Sequence, residues 1–279
     1  MFGFTVIIFS AFSHSLWNVL LKKSRDKYVF NFYMHLVNFL FFSAMYPVLF
    51  RNYMYFDLDA VLYAAAGGLF FSLYHLFLST AYHYSDVSDI YPITTSSPLF
   101  IVLWATMFFG EQISLTGFAG IVVTIVGALL LNTHKGIGIQ FGKGPLYALL
   151  AAFSYSFGAM ADKGGVTIGN FILYTYSLCF FMTSWLFAYS LRYKPFRMDF
   201  IKREWKLFTT AGIVVFVSFT SFRYGLTMVE VSYAAAIRQV NAIFALILGV
   251  LLYKERAGLP KVIATLIIMA GIVLIRIGM

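Results

Sequence analysis

Apolar runs long enough to cross a lipid bilayer follow one another along almost the whole chain, separated by short polar stretches. A helix needs about 20 apolar residues to span the hydrocarbon. Such runs fall at 3–21, 30–50, 60–82, 90–109, 115–132, 145–161, 169–191, 207–226, 232–252 and 260–276. The pattern predicts an all-α integral membrane protein of ten transmembrane helices. Only 11% of the 279 residues are charged and 61% are hydrophobic, too little charge to cover a soluble domain of this size. An outer-membrane barrel is also excluded, because its strands are short alternating segments. The chain runs apolar from Met1 with no preceding Lys or Arg and no clear cleavage site, so the first run reads as a retained span. The single cysteine, Cys179, lies in an apolar run and cannot form an internal disulfide.

The segment from Gly225 to Arg256 is the second copy of an earlier one. At an offset of 144, Asp86 falls on Glu230, Val87 on Val231, Ser88 on Ser232, Phe100 on Phe244 and Glu111 on Glu255. Leu115 then meets Leu259 and Gly127 meets Gly271. At an offset of 141, Ala11-Phe12-Ser13 meets Ala152-Phe153-Ser154, Ser15 meets Ser156 and Lys22 meets Lys163. The chain is therefore expected to be a duplication, with one five-helix repeat over residues 1–140 and another over 141–279. Five is odd, so the second copy enters the membrane from the opposite side. Inverted repeats of this kind are a transporter architecture, with the substrate site near mid-membrane.

The net charge of +9 does not point to nucleic acid. Most basic residues sit in short loops, where membrane topology explains them. The loops after spans 1, 5, 7 and 9, together with Lys261 at the start of span 10, hold 15 Lys and Arg, whereas the opposite face holds Arg51, Lys163 and Arg276. That bias places both termini outside the cytoplasm.

The residues Gly110-Glu111, Leu115, Gly120 and Gly127 in the first half, with Glu255, Leu259, Gly271 and Leu274 in the second, resemble the drug/metabolite transporter superfamily. The ten-span type with two EamA-like domains fits best, and the opening Ser13-His14-Ser15-Leu16-Trp17-Asn18 followed by Lys22-Lys23 is similar to its first spans. The resemblance covers the whole chain. It implies export or exchange of amino acids or other small metabolites through a central cavity lined by spans 1, 3, 4, 6, 8 and 9. It also implies that both termini are cytoplasmic, the reverse of the loop charges.

Two cations stand inside the apolar runs. Arg238 sits about six residues into span 9, roughly 9 Å deep at about 1.5 Å per residue, and Arg223 lies near the end of span 8. The second copy has Arg238 where the first has Thr94. An Arg at the bilayer centre costs at least about 2.5–3.5 kcal/mol, and its guanidinium suits carboxylate or phosphate. One reading makes both contacts of an anionic ligand. The other pairs Glu230 with one of them and lets the second snorkel to the headgroups.

In span 1, Ser10, His14, Trp17, Asn18 and Leu21 share one helical face, too polar to meet lipid. Phe71, Tyr74, His75, Leu78 and Tyr82 make a comparable face in span 3, and Tyr155, Ser156 and Ala159 one in span 6. Span 4 brings Tyr91, Thr94, Thr95 and Ser97 around Pro92 and Pro98, which should break or bend its helix. Asn241 matches Ser97 at the repeat offset. Each of these is either interhelical glue or a cavity lining, and as a set they favour the cavity. The substrate-binding set is therefore Arg238, Arg223, Asn18, His14, Trp17, His75, Tyr74, Thr94, Tyr155 and Asn241. Candidates for proton coupling are His14, His75, Asp89 and Glu230, since His titrates near neutral pH. Glu111 and Glu255 read as structural, capping the next helix or pairing with loop charge.

No G-x-x-x-x-G-K-[ST] loop, metal-ligand cluster or G-x-S-x-G elbow is present, so neither a nucleotide, a metal nor another cofactor is expected. The sequence thus describes a secondary-active carrier in the cell membrane that moves an amino acid or other organic anion or zwitterion by alternating access. Its expected partners are a small-molecule substrate, the bilayer, and protons or a counter-substrate, with a homodimer admissible. The competing readings are a lipid-phosphate or cationic-drug carrier and an intramembrane enzyme acting on a lipid-linked substrate.

Overall fold

A computed structural model describes residues 1–84, 93–94, 96–132, 142–193, 195–253 and 258–279. The described residues are helical and contain no strand. Eleven α-helices follow in order: α1 (Phe2–Lys23), α2 (Lys27–Leu49), α3 (Leu58–Tyr84), α4 (Ser97–Phe109), α5 (Leu115–Asn132), α6 (Lys143–Thr167), α7 (Phe171–Ser190), α8 (Met198–Leu226), α9 (Val231–Ile237), α10 (Asn241–Tyr253) and α11 (Leu259–Gly278). Among the described residues, seven stretches are long and apolar enough to cross a membrane, one of them running from α9 into α10.

The duplication is written into the helix boundaries. α4 and α10 begin 144 residues apart, at Ser97 and Asn241. α5 and α11 begin on the equivalent Leu115 and Leu259, and α1 and α6 begin 141 residues apart, at Phe2 and Lys143. Local signals set several of these ends. The Asp26 side chain accepts from the Val29 amide at the start of α2, and Asn170 accepts from the Ile172 and Leu173 amides at the start of α7. Pro98 sits in the first turn of α4, where its missing N–H costs nothing, and α4 stops on Gly110 in the left-handed conformation, φ 63°.

Two spans depart from the sequence expectation. Span 9 tightens midway: a 3₁₀ turn over Arg238–Val240, still right-handed helical, joins α9 to α10. Span 8 starts nine residues early, because Met198–Lys206 continues α8 where a polar loop was expected. There Phe200 and Glu204 face inward with Phe208 while the basic residues face out, so the average hydropathy hides an amphipathic helix.

The chain packs as two units. The first comprises Met1–Leu69 and Ala161–Met228, the second Phe70–Met160 and Val229–Met279. In the first, α2 packs against its repeat equivalent α7, and α8 packs against both α1 and α2. Ser10 Oγ donates to the Ser218 carbonyl at 2.9 Å and Ser218 Oγ donates back to the Ser10 carbonyl at 3.2 Å, joining α1 to α8. In the second, the repeat-equivalent helices α5 and α11 pack most closely. A Cβ on Gly120 would stand 2.6 Å from the Ile275 amide nitrogen, and one on Gly271 2.6 Å from that of Thr124. The glycines that carry the family resemblance are thus needed for close helix approach.

Candidate functional site

The first unit buries a charge cluster at the meeting of α6, α7 and α8. Asp162 Oδ1 accepts from Arg223 Nη2 at 2.9 Å, from Arg223 Nε at 3.0 Å and from the Tyr174 hydroxyl at 2.5 Å. Its Oδ2 accepts from Arg223 Nη2 at 3.2 Å. Asp162 is 2% exposed and Arg223 3%. The guanidinium also lies 4.7 Å from the Phe219 ring centre, a favourable cation–π distance. Small residues let the cluster close, since any Cβ on Gly165 would run into the Tyr174 ring, and one on Gly67 would stand 2.9 Å from its hydroxyl. The Arg223 charge is therefore answered within its own unit by Asp162. Sequence reasoning overlooked Asp162, which stood at the end of the expected span 6 beside Lys163. The usable signal was that an Arg inside an apolar run asks for an acid nearby.

The α1 stripe lies in the same unit. The His14 and Trp17 rings meet edge to face at 4.7 Å, and Asn18 Nδ2 donates to the His14 carbonyl at 3.0 Å. Trp17 is 7% exposed, packed among Val29, Phe30, Met34 and Phe208, and its Nε1–H has no hydrogen-bond partner among the described residues. A buried indole N–H without an acceptor is costly unless something else supplies one. A second stripe went unread. Asn31, His35 and Asn38 share one face of α2, with His35 and Asn38 buried. Asn38 Nδ2 donates to Cys179 Sγ at 3.2 Å, whereas Asn31 Oδ1 and Asn38 Oδ1 accept from no described group. The spacing of these three polar residues in an apolar run was the signal that could have found them.

In the second unit, Tyr74 meets His75 at 5.1 Å and Tyr155 at 5.2 Å, and Phe71 meets Tyr155 at 5.5 Å. Ser156 is engaged structurally: it accepts from Trp104 Nε1 at 3.0 Å and donates to the Phe153 carbonyl. Thr94 is buried, Asn241 opens α10 and is half-buried, and Arg238 sits half-buried in the 3₁₀ turn before it. Glu230, half-buried, is the residue immediately before α9. Glu111 does cap a helix, but not the next one. Its Oε1 accepts from the Val231 amide at 2.7 Å, and its Oε2 from the Ser232 amide at 3.2 Å and the Ser232 hydroxyl at 2.6 Å. Ser114 takes the expected place at α5 instead, its Oγ accepting from the Gly117 amide. The 3₁₀ turn at Arg238 thus follows a short helix whose first turn is held by a carboxylate from the other half of the sequence.

Asp89, Tyr91, Pro92, Thr95 and Glu255 lie outside the described residues. Among the described ones, no group of three or more His, Cys, Asp or Glu side chains is placed to hold a metal ion.

The EamA-like transporter family matches the chain twice, over residues 1–133 and 142–277. The chain belongs to the EamA-like transporter family. Its apolar helices make it a multi-pass membrane protein. This EamA-like transporter is 24% identical over 196 residues to an uncharacterized transporter of Archaeoglobus fulgidus, covering 68% of this chain and 66% of the relative. It is 22% identical over 196 residues to Protein LicB of Haemophilus influenzae, with the same coverages. It is 22% identical over 220 residues to the uncharacterized transporter YxxF of Bacillus subtilis, covering 77% and 69%. The chain thus spans about two thirds of the length of these curated relatives. A crystal structure with 16% identity superposes with a TM-score of 0.79 over 98% of this chain and 94% of its own, a likeness of fold.

Proposed function

We propose that this EamA-like transporter is a secondary-active exporter or exchanger of the cell membrane. It moves a small organic anion or zwitterion, such as an amino acid, by alternating access between two inverted five-helix repeats, residues 1–140 and 141–279. The observation that carries the substrate class is the 3₁₀ turn at Arg238 within span 9. A 3₁₀ stretch inside a helix often marks a functional site, and here it carries a guanidinium inside an apolar span. Arg223 does not share that role, because Asp162 neutralises it. The unpartnered Nε1–H of buried Trp17 supports a ligand that accepts hydrogen bonds, such as a carboxylate. His14, Asn18, Tyr74, His75, Thr94, Tyr155 and Asn241 shape and orient the rest. His14, His75 and Glu230 remain the groups through which protons would couple.

Ligand-induced stabilisation of the purified protein tests this, because a compound that binds only the folded state raises the unfolding midpoint with concentration. Amino acids, carboxylates and phosphorylated metabolites should stabilise the wild type, and Arg238→Gln should abolish that response. Stabilisation by cationic or neutral compounds alone, equal in Arg238→Gln, would sink the anion reading and leave the cationic-drug alternative.

A further inference from the structure

The first unit carries a basic face that transport as proposed does not use. Two connections from opposite halves of the sequence build it, the α1–α2 turn and the α7–α8 connection with the first turns of α8. Specific contacts hold them together. Ser24 Oγ donates to Glu204 Oε2 at 2.6 Å and the Arg25 amide to Glu204 Oε1 at 3.2 Å. Arg197 pairs with Asp26, the Tyr33 hydroxyl donates to the Pro195 carbonyl at 3.0 Å, and Tyr28 stacks on Tyr193 at 4.6 Å.

These contacts sort the charges. Glu204 is turned inward and 6% exposed, and Asp26 is engaged by Arg197. Lys23, Arg25, Lys27, Lys202, Arg203 and Lys206 all remain exposed, with Asp199 the one exposed acid described in these segments. Exposed Trp205, Phe196 and Met198 stand among the cations. Their level along the membrane follows from helix length. α8 has 29 residues, about 43 Å at about 1.5 Å each, against a hydrocarbon core of about 30 Å. Its first turns therefore extend past the acyl chains, presenting Lys and Arg to the headgroup layer and Trp to its boundary.

We propose that this face binds the headgroups of anionic phospholipids. Clustered cations at headgroup depth attract anionic lipid, and interleaved apolar side chains suit a ligand whose phosphate continues into acyl chains. A free nucleic acid or acidic protein would have no use for the apolar part.

The test uses the full-length protein in neutral detergent, titrated with phosphatidylglycerol, with phosphatidylcholine of the same acyl chains, and with glycerol phosphate. Phosphatidylglycerol should raise the unfolding midpoint saturably and the other two should not. Raising the salt to about 1 M, where the Debye length is about 3 Å, should remove most of the effect. Each cation lost should weaken the apparent affinity roughly fivefold, from about 1 kcal/mol per basic residue near an anionic surface. The triple variant Lys202→Gln/Arg203→Gln/Lys206→Gln should lose on the order of a hundredfold, and Lys23→Gln/Arg25→Gln/Lys27→Gln likewise from the other connection. Lys202→Arg/Lys206→Arg should respond as the wild type does. Where a triple variant fails to fold, the single variants Lys202→Gln and Lys206→Gln carry the comparison. Equal stabilisation by phosphatidylcholine, an equal effect of glycerol phosphate alone, or an undiminished response in the Gln variants would each overturn the proposal.

Discussion

Asp162 in the first unit and Glu111 in the second are both carboxylates buried in apolar surroundings, and they are stabilised by different means. Asp162 faces a full positive charge and a phenol, three side chains on three helices. Glu111 faces main-chain N–H groups at the start of α9 and one hydroxyl. The first arrangement answers charge with charge. The second answers it with the partial positive charge of a helix terminus and its unsatisfied donors. The difference is one of dependence. Asp162 and Arg223 each become a liability when the other is removed, whereas the Val231 and Ser232 groups that donate to Glu111 are neutral, and each loses only a hydrogen bond when the acceptor goes.

That contrast can be broken by substitution. Asp162→Asn leaves Arg223 buried and uncompensated, so a loss of about 3–5 kcal/mol is expected, read as a large drop in the unfolding midpoint. Adding Arg223→Gln should recover part of it, and a double variant no better than the single one would mean that the charges are not coupled. Tyr174→Phe removes one hydrogen bond to a charged acceptor and keeps the ring, so about 1.5–3 kcal/mol is expected. Glu111→Gln should be milder, about 1–2 kcal/mol in the same assay, because the amide still offers an acceptor to α9. Were Glu111→Gln as damaging as Asp162→Asn, Glu111 would have to oppose a cation, and the contrast would fail.

Much of the fold was legible. The apolar runs, the two repeat offsets and the glycines of α5 and α11 follow from local composition and spacing, and the starts of α4 and α10 reproduce the 144-residue register. What escaped was tertiary. A hydropathy window cannot tell an acid at a helix end from one inside a cluster, so Asp162 beside Lys163 looked like the edge of a span. The same averaging concealed the amphipathic start of α8. The expected cap of Glu111 was correct in chemistry and misplaced in partner, since the donors lie some 120 residues away. The 3₁₀ turn at Arg238 carries no Pro or Gly, and nothing in Ala236-Ile237-Arg238-Gln239 announces it. Span 4, where prolines announced a break, does begin its described helix at Ser97-Pro98.

The close packing of α5 against α11 has a consequence for biogenesis. During synthesis α5 leaves the ribosome well before its partner: Asn132 ends one helix and Leu259 begins the other. At about 5–20 residues per second the gap lasts roughly 6–25 s. Through that interval the glycine-lined groove of α5 must be occupied by lipid, by a provisional neighbouring helix or by an insertion factor. The second unit is thus a late product of translation, and slowing the ribosome over the final spans should lengthen the window in which a nascent chain is open to degradation.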